Sequence, residues 1–258
     1  MTVILISLNV NGLRAASAKP GFLSWLKAAR ADLLGFQEIK ARPEQLTPEL
    51  QAPFGYRSTF TWPTLKKGYS GTAVFSRAEP LSVSVELPEA RWAQEGRLVH
   101  AETPAFHFVS VYVPNGQKDE DRLAYKMGWL EAFFERIENL RRSKPVIMCG
   151  DFNIAHKAID LAQPELYKDV SGFLPQEREF ITRLIKKGYL DVFRVLNGDL
   201  EGQYTWWSYR SGDRSRNLGW RIDYFFVSEE LRGQLKRAWI EPHVSFSDHC
   251  PIGLELDL

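Results

Sequence analysis

Six apolar runs in this 258-residue chain end in groups that can do chemistry. ISLNVNG ends on Asn9 and Asn11, LLGFQE on Glu38, VSVYVPNG on Tyr112 and Asn115, and VIMCGDFN on Asp151 and Asn153. RIDYF carries Asp223 just inside its run, and FSDHCPI sets Asp248 and His249 immediately before the last one. Any one of these alone is ordinary turn chemistry, because Asn and Asp commonly follow strands. Six together are harder to dismiss, and Glu38 follows its run without the Asn, Gly or Asp that a turn would use. Oxygen donors at Asn11, Glu38, Asp151, Asn153 and Asp248, with no thiolate cluster, suit Mg²⁺ or Mn²⁺ rather than structural zinc. His249 differs from the other four histidines because it follows an acid and precedes a buried run. A cation, an imidazole with a carboxylate to orient it, and amide donors are the parts needed to hydrolyse a phosphate ester.

A second stretch, TWWSYRSGDRSRNLGWRIDY (residues 205–224), interleaves Trp206, Trp207, Tyr209 and Trp220 with Arg210, Arg214, Arg216 and Arg221. Charge alone would read as a solvated loop, and aromatics alone as core. The mixture fits an element that grips a phosphate backbone and wedges against bases. Lys66, Lys67 and Tyr69 in LKKGYSG form a weaker patch of the same kind.

These groups need strands to carry them. Runs rich in Val, Ile, Phe and Tyr predict strands at residues 2–8, 33–36, 57–62, 71–76, 81–87, 97–103, 106–113, 145–149, 222–227 and 250–256. Helical spacing predicts residues 20–30, with Phe22, Leu23 and Leu26 on one face. It predicts residues 120–141, with Leu123, Met127, Leu130, Phe134, Ile137 and Leu140, and residues 175–187, with Phe180, Ile181, Leu184 and Ile185. Many strands and few helices imply two packed sheets with helices outside, in one α/β domain spanning residues 1–258. Packed sheets would bring the strand termini to one rim.

Composition narrows the partners. A net charge of +1 gives no global field, so any nucleic-acid footprint must be local. Cys149 and Cys250 sit in apolar runs and read as small buried hydrophobes. Residues 1–10 lack a basic region before their apolar run, and no run approaches the roughly 20 residues that span a bilayer, so a cytosolic chain without a membrane partner is expected.

Taken in order, LNVNGLRAA, LLGFQEIKA, KKGYSGTAVFSR, EGRLVHAE, VYVPNG, CGDFNIAH, GFLPQERE, YTWWSYR, GWRIDYFFVS and FSDHCPIGLEL resemble the exonuclease III / abasic-site endonuclease family. The resemblance runs from Leu8 to about Leu256. It implies a four-layer α-β-β-α fold of two mixed sheets flanked by helices, and a monomer that incises duplex DNA 5′ to abasic sites and trims 3′ ends in base excision repair. It also implies a Mg²⁺ cofactor, with Mn²⁺ as a substitute. By motif, Asn11 and Glu38 would hold the metal with Asp248 near or in its shell, and Asp151, Asn153 and His249 are counted with them as metal residues. Asp151 would act as general base or proton donor, Asn153 and His249 would contact the scissile phosphate, Asp223 would orient His249, and Tyr112 would donate to the attacked group. Asn9, Arg14, Lys40, Tyr69, Arg97 and Tyr209 are implied on the DNA side. Trp206, Trp220 and Ile222 would form a flat pocket for a flipped-out baseless sugar. The animal branch carries Met and Arg at the two duplex-wedging positions, where this chain has Arg210 and Lys118. The segment LAQPELYKDVSGF also departs from the Asn-rich pattern of abasic-site specialists, with Tyr167 and Val170.

Two other readings of the residues remain open. A related phosphodiesterase or phosphatase could act on RNA, inositol phosphate or phospholipid, which a duplex-nicking assay would separate. A non-catalytic DNA-binding module is the other, which sensitivity of activity to a chelator would dispose of.

Overall fold

The strand termini do converge. In the computed structural model, which describes residues 1–64, 66–209 and 212–258, the chain runs β1 (Thr2–Asn9), α1 (Leu13–Ser17), α2 (Phe22–Ala28), β2 (Leu33–Gln37), α3 (Pro48–Gln51), β3 (Arg57–Thr61), β4 (Thr72–Ser76), β5 (Ser82–Val85), β6 (Leu98–Glu102) and β7 (His107–Tyr112). It continues with α4 (Glu120–Arg141), β8 (Val146–Asp151), α5 (Pro175–Lys186), β9 (Tyr189–Asp191), α6 (Val192–Asn197), β10 (Asp223–Ser228), β11 (Leu235–Ile240) and β12 (Ile252–Asp257). Among the described residues these strands form two six-stranded sheets, ordered β11-β12-β1-β2-β4-β3 and β5-β6-β7-β8-β10-β9. The β1–β2 and β7–β8 pairs are parallel and their neighbours antiparallel, so both sheets are mixed.

Period-two alternation explains the layering. Along β1, Leu5 points to the space between the sheets while Ile6 and Leu8 point outward. Along β8, Ile147 and Cys149 face the other sheet while Val146 and Met148 face the helices. Strands covered on both faces read as continuous apolar runs, as these do. Phe22 and Leu26 of α2 cover the outer face of the first sheet, and Trp129, Phe133, Phe180 and Leu184 of α4 and α5 cover the second. Gly35 lets the sheets approach closely, since a Cβ there would lie 2.7 Å from Cys149 Sγ and 2.8 Å from Ser110 Oγ. No helix of the described residues is long and apolar enough to cross a membrane.

The buried stripe of α4 differs from the predicted one. Lys126, Trp129, Leu130, Phe133, Ile137 and Leu140 face inward, while Leu123, Met127 and Phe134 are only partly covered. A lysine at the centre of the stripe hides the true phase from a hydrophobic pattern. Ile185 of α5 is exposed, and the inward face there includes Glu177 instead. The expected strands all form, joined by β9 and β11. The first is three residues long, and the second is interrupted by exposed Lys236 and Arg237.

Candidate active site

Register sets the geometry. In the second sheet Tyr112 lies opposite Asp151, and Asp151 opposite Asp223, so three polar side chains form a row across three strand ends. In the first sheet Asn9 pairs with Gln37, with Glu38 next in sequence. Asn9 then links the sheets, donating from Nδ2 to Glu38 Oε1 and to Asp151 Oδ2, both at 2.9 Å. The backbone here is strained. Asn11, Glu38, Lys40 and Asn153 all adopt φ of +46° to +51°, a left-handed region that costs a residue with a Cβ about 1–3 kcal/mol and persists where surroundings enforce it.

The imidazole lies at the centre. His249 Nδ1 is 2.8 Å from Asp223 Oδ2, which also accepts from Thr205 Oγ1 at 2.6 Å, and His249 Nε2 lies 3.8 Å from Asp151 Oδ2. Burial by itself would push the imidazole down, but the carboxylates of Asp223, Asp151 and Asp248 outweigh it and hold His249 up at about 10. Burial raises Asp151 to about 7, with Asp223 and Glu38 adding repulsion and His249 opposing it. A protonated imidazolium thus stands beside a carboxyl poised near neutrality. Asp151 Oδ1 also accepts the Asn153 N–H at 2.8 Å, and Asn153 Nδ2 donates to Val113 O at 2.9 Å.

Oxygen donors border this dyad on the first sheet. Asn11 Nδ2 donates to Asp248 Oδ1 at 2.9 Å, and Trp206 Nε1 to Asp248 Oδ2 at 3.1 Å. The neighbouring His249 charge keeps Asp248 below the usual carboxylate range, although burial pushes the other way. The Lys40 ammonium sits 2.9 Å from Glu38 Oε2 and donates to Asn11 Oδ1, so a cation already occupies the space between those two oxygens. One ligand atom each from Glu38, Asp151 and His249 also lie within 4.8 Å of one another. Carboxylate and amide oxygens drawn around a positive group fit a hard divalent cation.

Asp151 and His249 open into a cleft of about 170 Å³, walled further by Trp206, Trp220 and Ile222 on one part and by Asn115, Gln117, Ser171 and Gly172 on another. Trp206 and Trp220 meet edge-to-face at 6.2 Å. Tyr167 packs against the Trp220 ring at 4.8 Å.

Residues 6–249 match the model of the Endonuclease/Exonuclease/phosphatase family. The chain belongs to that family. It is 47% identical to an exodeoxyribonuclease of Bacillus subtilis over 98% of this chain and 99% of the relative. It is 38% identical to a DNA-(apurinic or apyrimidinic site) endonuclease of Dictyostelium discoideum over 98% of this chain and 70% of that one. Among solved structures, a 3′ phosphatase from Neisseria bound to product DNA hairpin superposes with a TM-score of 0.91 at 26% identity, covering 99% of this chain and 100% of that one. The expected α-β-β-α fold and family are therefore correct, and the family's metal dependence agrees with the acidic cluster.

The structure sorts the remaining residues. Asn9, Asn11, Glu38, Lys40, Tyr112, Asp151, Asn153, Trp206, Trp220, Ile222, Asp223, Asp248 and His249 come together at the rim or its pocket. Asn9 is fully buried, so it braces the two sheets and does not face DNA. Arg97 is likewise corrected. It is fully buried, bonding to Glu95, to Tyr112 O at 3.0 Å and to the Tyr69 hydroxyl at 2.6 Å, so it props the tyrosines instead of meeting a phosphate. Two arginines of the basic-aromatic stretch are structural too. Arg221 is enclosed by Asp160 and Asp191, and Arg214 donates to Ser247, Pro242 and Val244 carbonyls, fastening its loop to the segment before Asp248. Arg14, Lys118 and Tyr209 are exposed, Tyr69 is half-buried between Arg97 and Arg122, and Arg210 lies outside the described residues.

Sequence reasoning missed Lys126 and Glu177. Both are fully buried and 2.5 Å apart, Lys126 also donating to Asn153 O at 2.8 Å. Lys126 hid within an amphipathic helix. Gln117, Ser171 and Gly172 were missed as pocket residues, and the glycine beside an aromatic wall is the one signal that could have drawn attention to them.

Proposed function

We propose that this protein is a metal-dependent DNA-repair phosphodiesterase that cuts duplex DNA 5′ to abasic sites and trims blocked or ordinary 3′ ends. The observation that carries the reading is the buried Asp223–His249–Asp151 array at the convergence of two sheets, beside a flat aromatic pocket. Glu38 and Asn11, with Asp248 adjacent, would hold Mg²⁺ or in its place Mn²⁺. When bound, the ion supplies positive charge that offsets the charge developing on the phosphate.

The side chains divide the remaining work. Asp151, raised toward neutrality, accepts the proton of a water attacking phosphorus as a general base, while the P–O3′ bond breaks and the departing 3′-oxygen takes a proton from solvent to leave a 3′-hydroxyl. His249, held protonated by Asp223, donates from Nε2 to a non-bridging phosphate oxygen. Asn153 offers an amide donor next to it. Burial keeps the Tyr112 phenol above its ordinary range, so it remains a neutral donor. Trp206, Trp220 and Ile222 receive a sugar turned out of the duplex, a turn that costs least where the base is already missing. The monomer acts alone, with Arg14, Tyr69, Lys118 and Tyr209 on the DNA-facing surface.

Time courses on matched duplexes with an abasic analogue, a 3′-phosphate or a plain recessed 3′ end test this reading. Metal-dependent cleavage of the first, abolished by chelator, is the expected result. Absence of cleavage of all three with Mg²⁺ or Mn²⁺ present would overturn it.

A further inference from the structure

Two loops complete the wall of the lesion pocket, and each is anchored from its own side. In the loop after β7, Asn115 Oδ1 accepts the Gln117 backbone N–H at 2.8 Å, and Asn115 Nδ2 donates to Asn153 Oδ1 at 3.1 Å. In the loop before α5, buried Glu177 accepts from Ser171 Oγ at 2.8 Å, Gly172 N at 2.6 Å and Leu174 N at 3.1 Å. The loops then close on each other. The Gln117 side-chain amide donates to Ser171 O at 3.1 Å, and Gly116 packs so tightly that a Cβ there would lie 2.6 Å from Ser171 Oγ. Behind them Gly172, at φ +104°, leaves room for the Trp220 ring, which a Cβ would approach to 2.9 Å.

The open cleft that these loops share with Glu38, Asp151, Asp248 and His249 offers about 170 Å³ in all, below the roughly 300–1,000 Å³ of pockets that enclose drug-sized ligands. A baseless deoxyribose is a small group, and a nucleoside falls in the larger class. We propose that Gln117 is a specificity-determining residue whose amide latches the two loops together and keeps the pocket at the size of a sugar without its base. This rests on the phosphodiesterase reading above. Gln117 is itself exposed, and its backbone and side chain are held by different partners, so the latch can be removed without disturbing a core. Releasing it frees the loops to separate and admits a sugar that still carries a base.

The test is the ratio of kcat/KM on an abasic-analogue duplex to kcat/KM on an undamaged recessed 3′ end, with Mg²⁺. Gln117→Ala removes the side chain, and Gln117→Met keeps its length but not its donor. Since one neutral hydrogen bond has only a modest net worth, both variants should lower the ratio about three- to tenfold. The change should come mainly from a gain on the undamaged end. An unchanged ratio in both variants, or equal losses on the two substrates, overturns the latch while leaving the phosphodiesterase reading intact. A wild-type protein inert on both duplexes overturns that reading and the latch with it.

Discussion

Two clusters of buried charge lie a few residues apart along GWRID, and they differ in balance. Arg221 is enclosed by Asp160 and Asp191, with ion-pair distances of 2.7 and 2.8 Å, and Arg194 reaches the same Asp160 oxygen at 2.6 Å. The two carboxylates raise Arg221 well above its ordinary value despite burial, and Arg221 in turn holds Asp160 low. At the rim, Asp151, Asp223, Asp248 and Glu38 surround His249, with Lys40 at the edge. Asp151 is pushed toward neutrality, and one Asp223 oxygen is buried without a hydrogen-bond partner among the described residues. Burial of charge alone therefore does not mark a reactive site. Negative charge in excess of its partners does, because it can be relieved by a proton, a cation or a developing transition state.

The largest contrast should appear when one member of each cluster is removed. Asp151→Asn is expected to lower kcat at least about 10³-fold, or about 4 kcal/mol of transition-state stabilisation, with DNA affinity within several-fold and no loss of melting temperature. Turnover near wild type would reduce Asp151 to a turn residue. Arg221→Met leaves buried Asp191 without this partner and Asp160 with Arg194 alone, which should cost about 3–5 kcal/mol of stability in denaturant titrations. Unchanged stability would mean that the second cluster is not balanced by Arg221. Glu38→Ala should shift the metal concentration needed for half-maximal activity upward, with partial rescue at high metal, since other oxygen donors remain. An unmoved titration puts the cation elsewhere.

The smallest effect concerns two other buried histidines. His100 Nε2 lies 2.9 Å from His107 Nδ1 across β6 and β7, and burial together with the neighbouring ring pushes His100 down to about 4. The unfolded chain takes up this proton near the ordinary value of 6.5 and the folded chain only near 4, so stability should fall as pH drops through that window. His100→Gln should flatten the acid limb of a melting-temperature profile. An equally steep limb in the variant would assign it to other groups.

Much of the rim was legible because it lies where apolar runs stop. Asn11, Glu38, Asp151, Asp223 and His249 each end or precede a strand, and parallel or antiparallel register then carries those ends together. What stayed hidden depends on contacts between distant residues. Arg221 looked like a surface cation because its partner Asp160 is 61 positions away, and Arg97 reads the same way until Glu95, Tyr69 and Tyr112 close around it. Lys126 disguised the phase of α4 because its counter-charge is on α5. The Gln117–Ser171 contact spans 54 positions and involves a backbone carbonyl, which no side-chain pattern announces.

Whether the unbalanced charge around His249 performs phosphodiester hydrolysis is decided by the pH dependence of kcat/KM on an abasic duplex between pH 5 and 9 at saturating metal. Asp151 must be deprotonated to act and titrates near 7, while His249 must be protonated and keeps its proton until about 10. A bound cation draws the Asp151 carboxyl lower, so the rate should rise at or below about pH 7 and remain high to pH 9, and the residual rate of Asp151→Asn should lose the rising limb. A profile that falls between pH 7 and 9, or a rising limb that persists in Asp151→Asn, would contradict it.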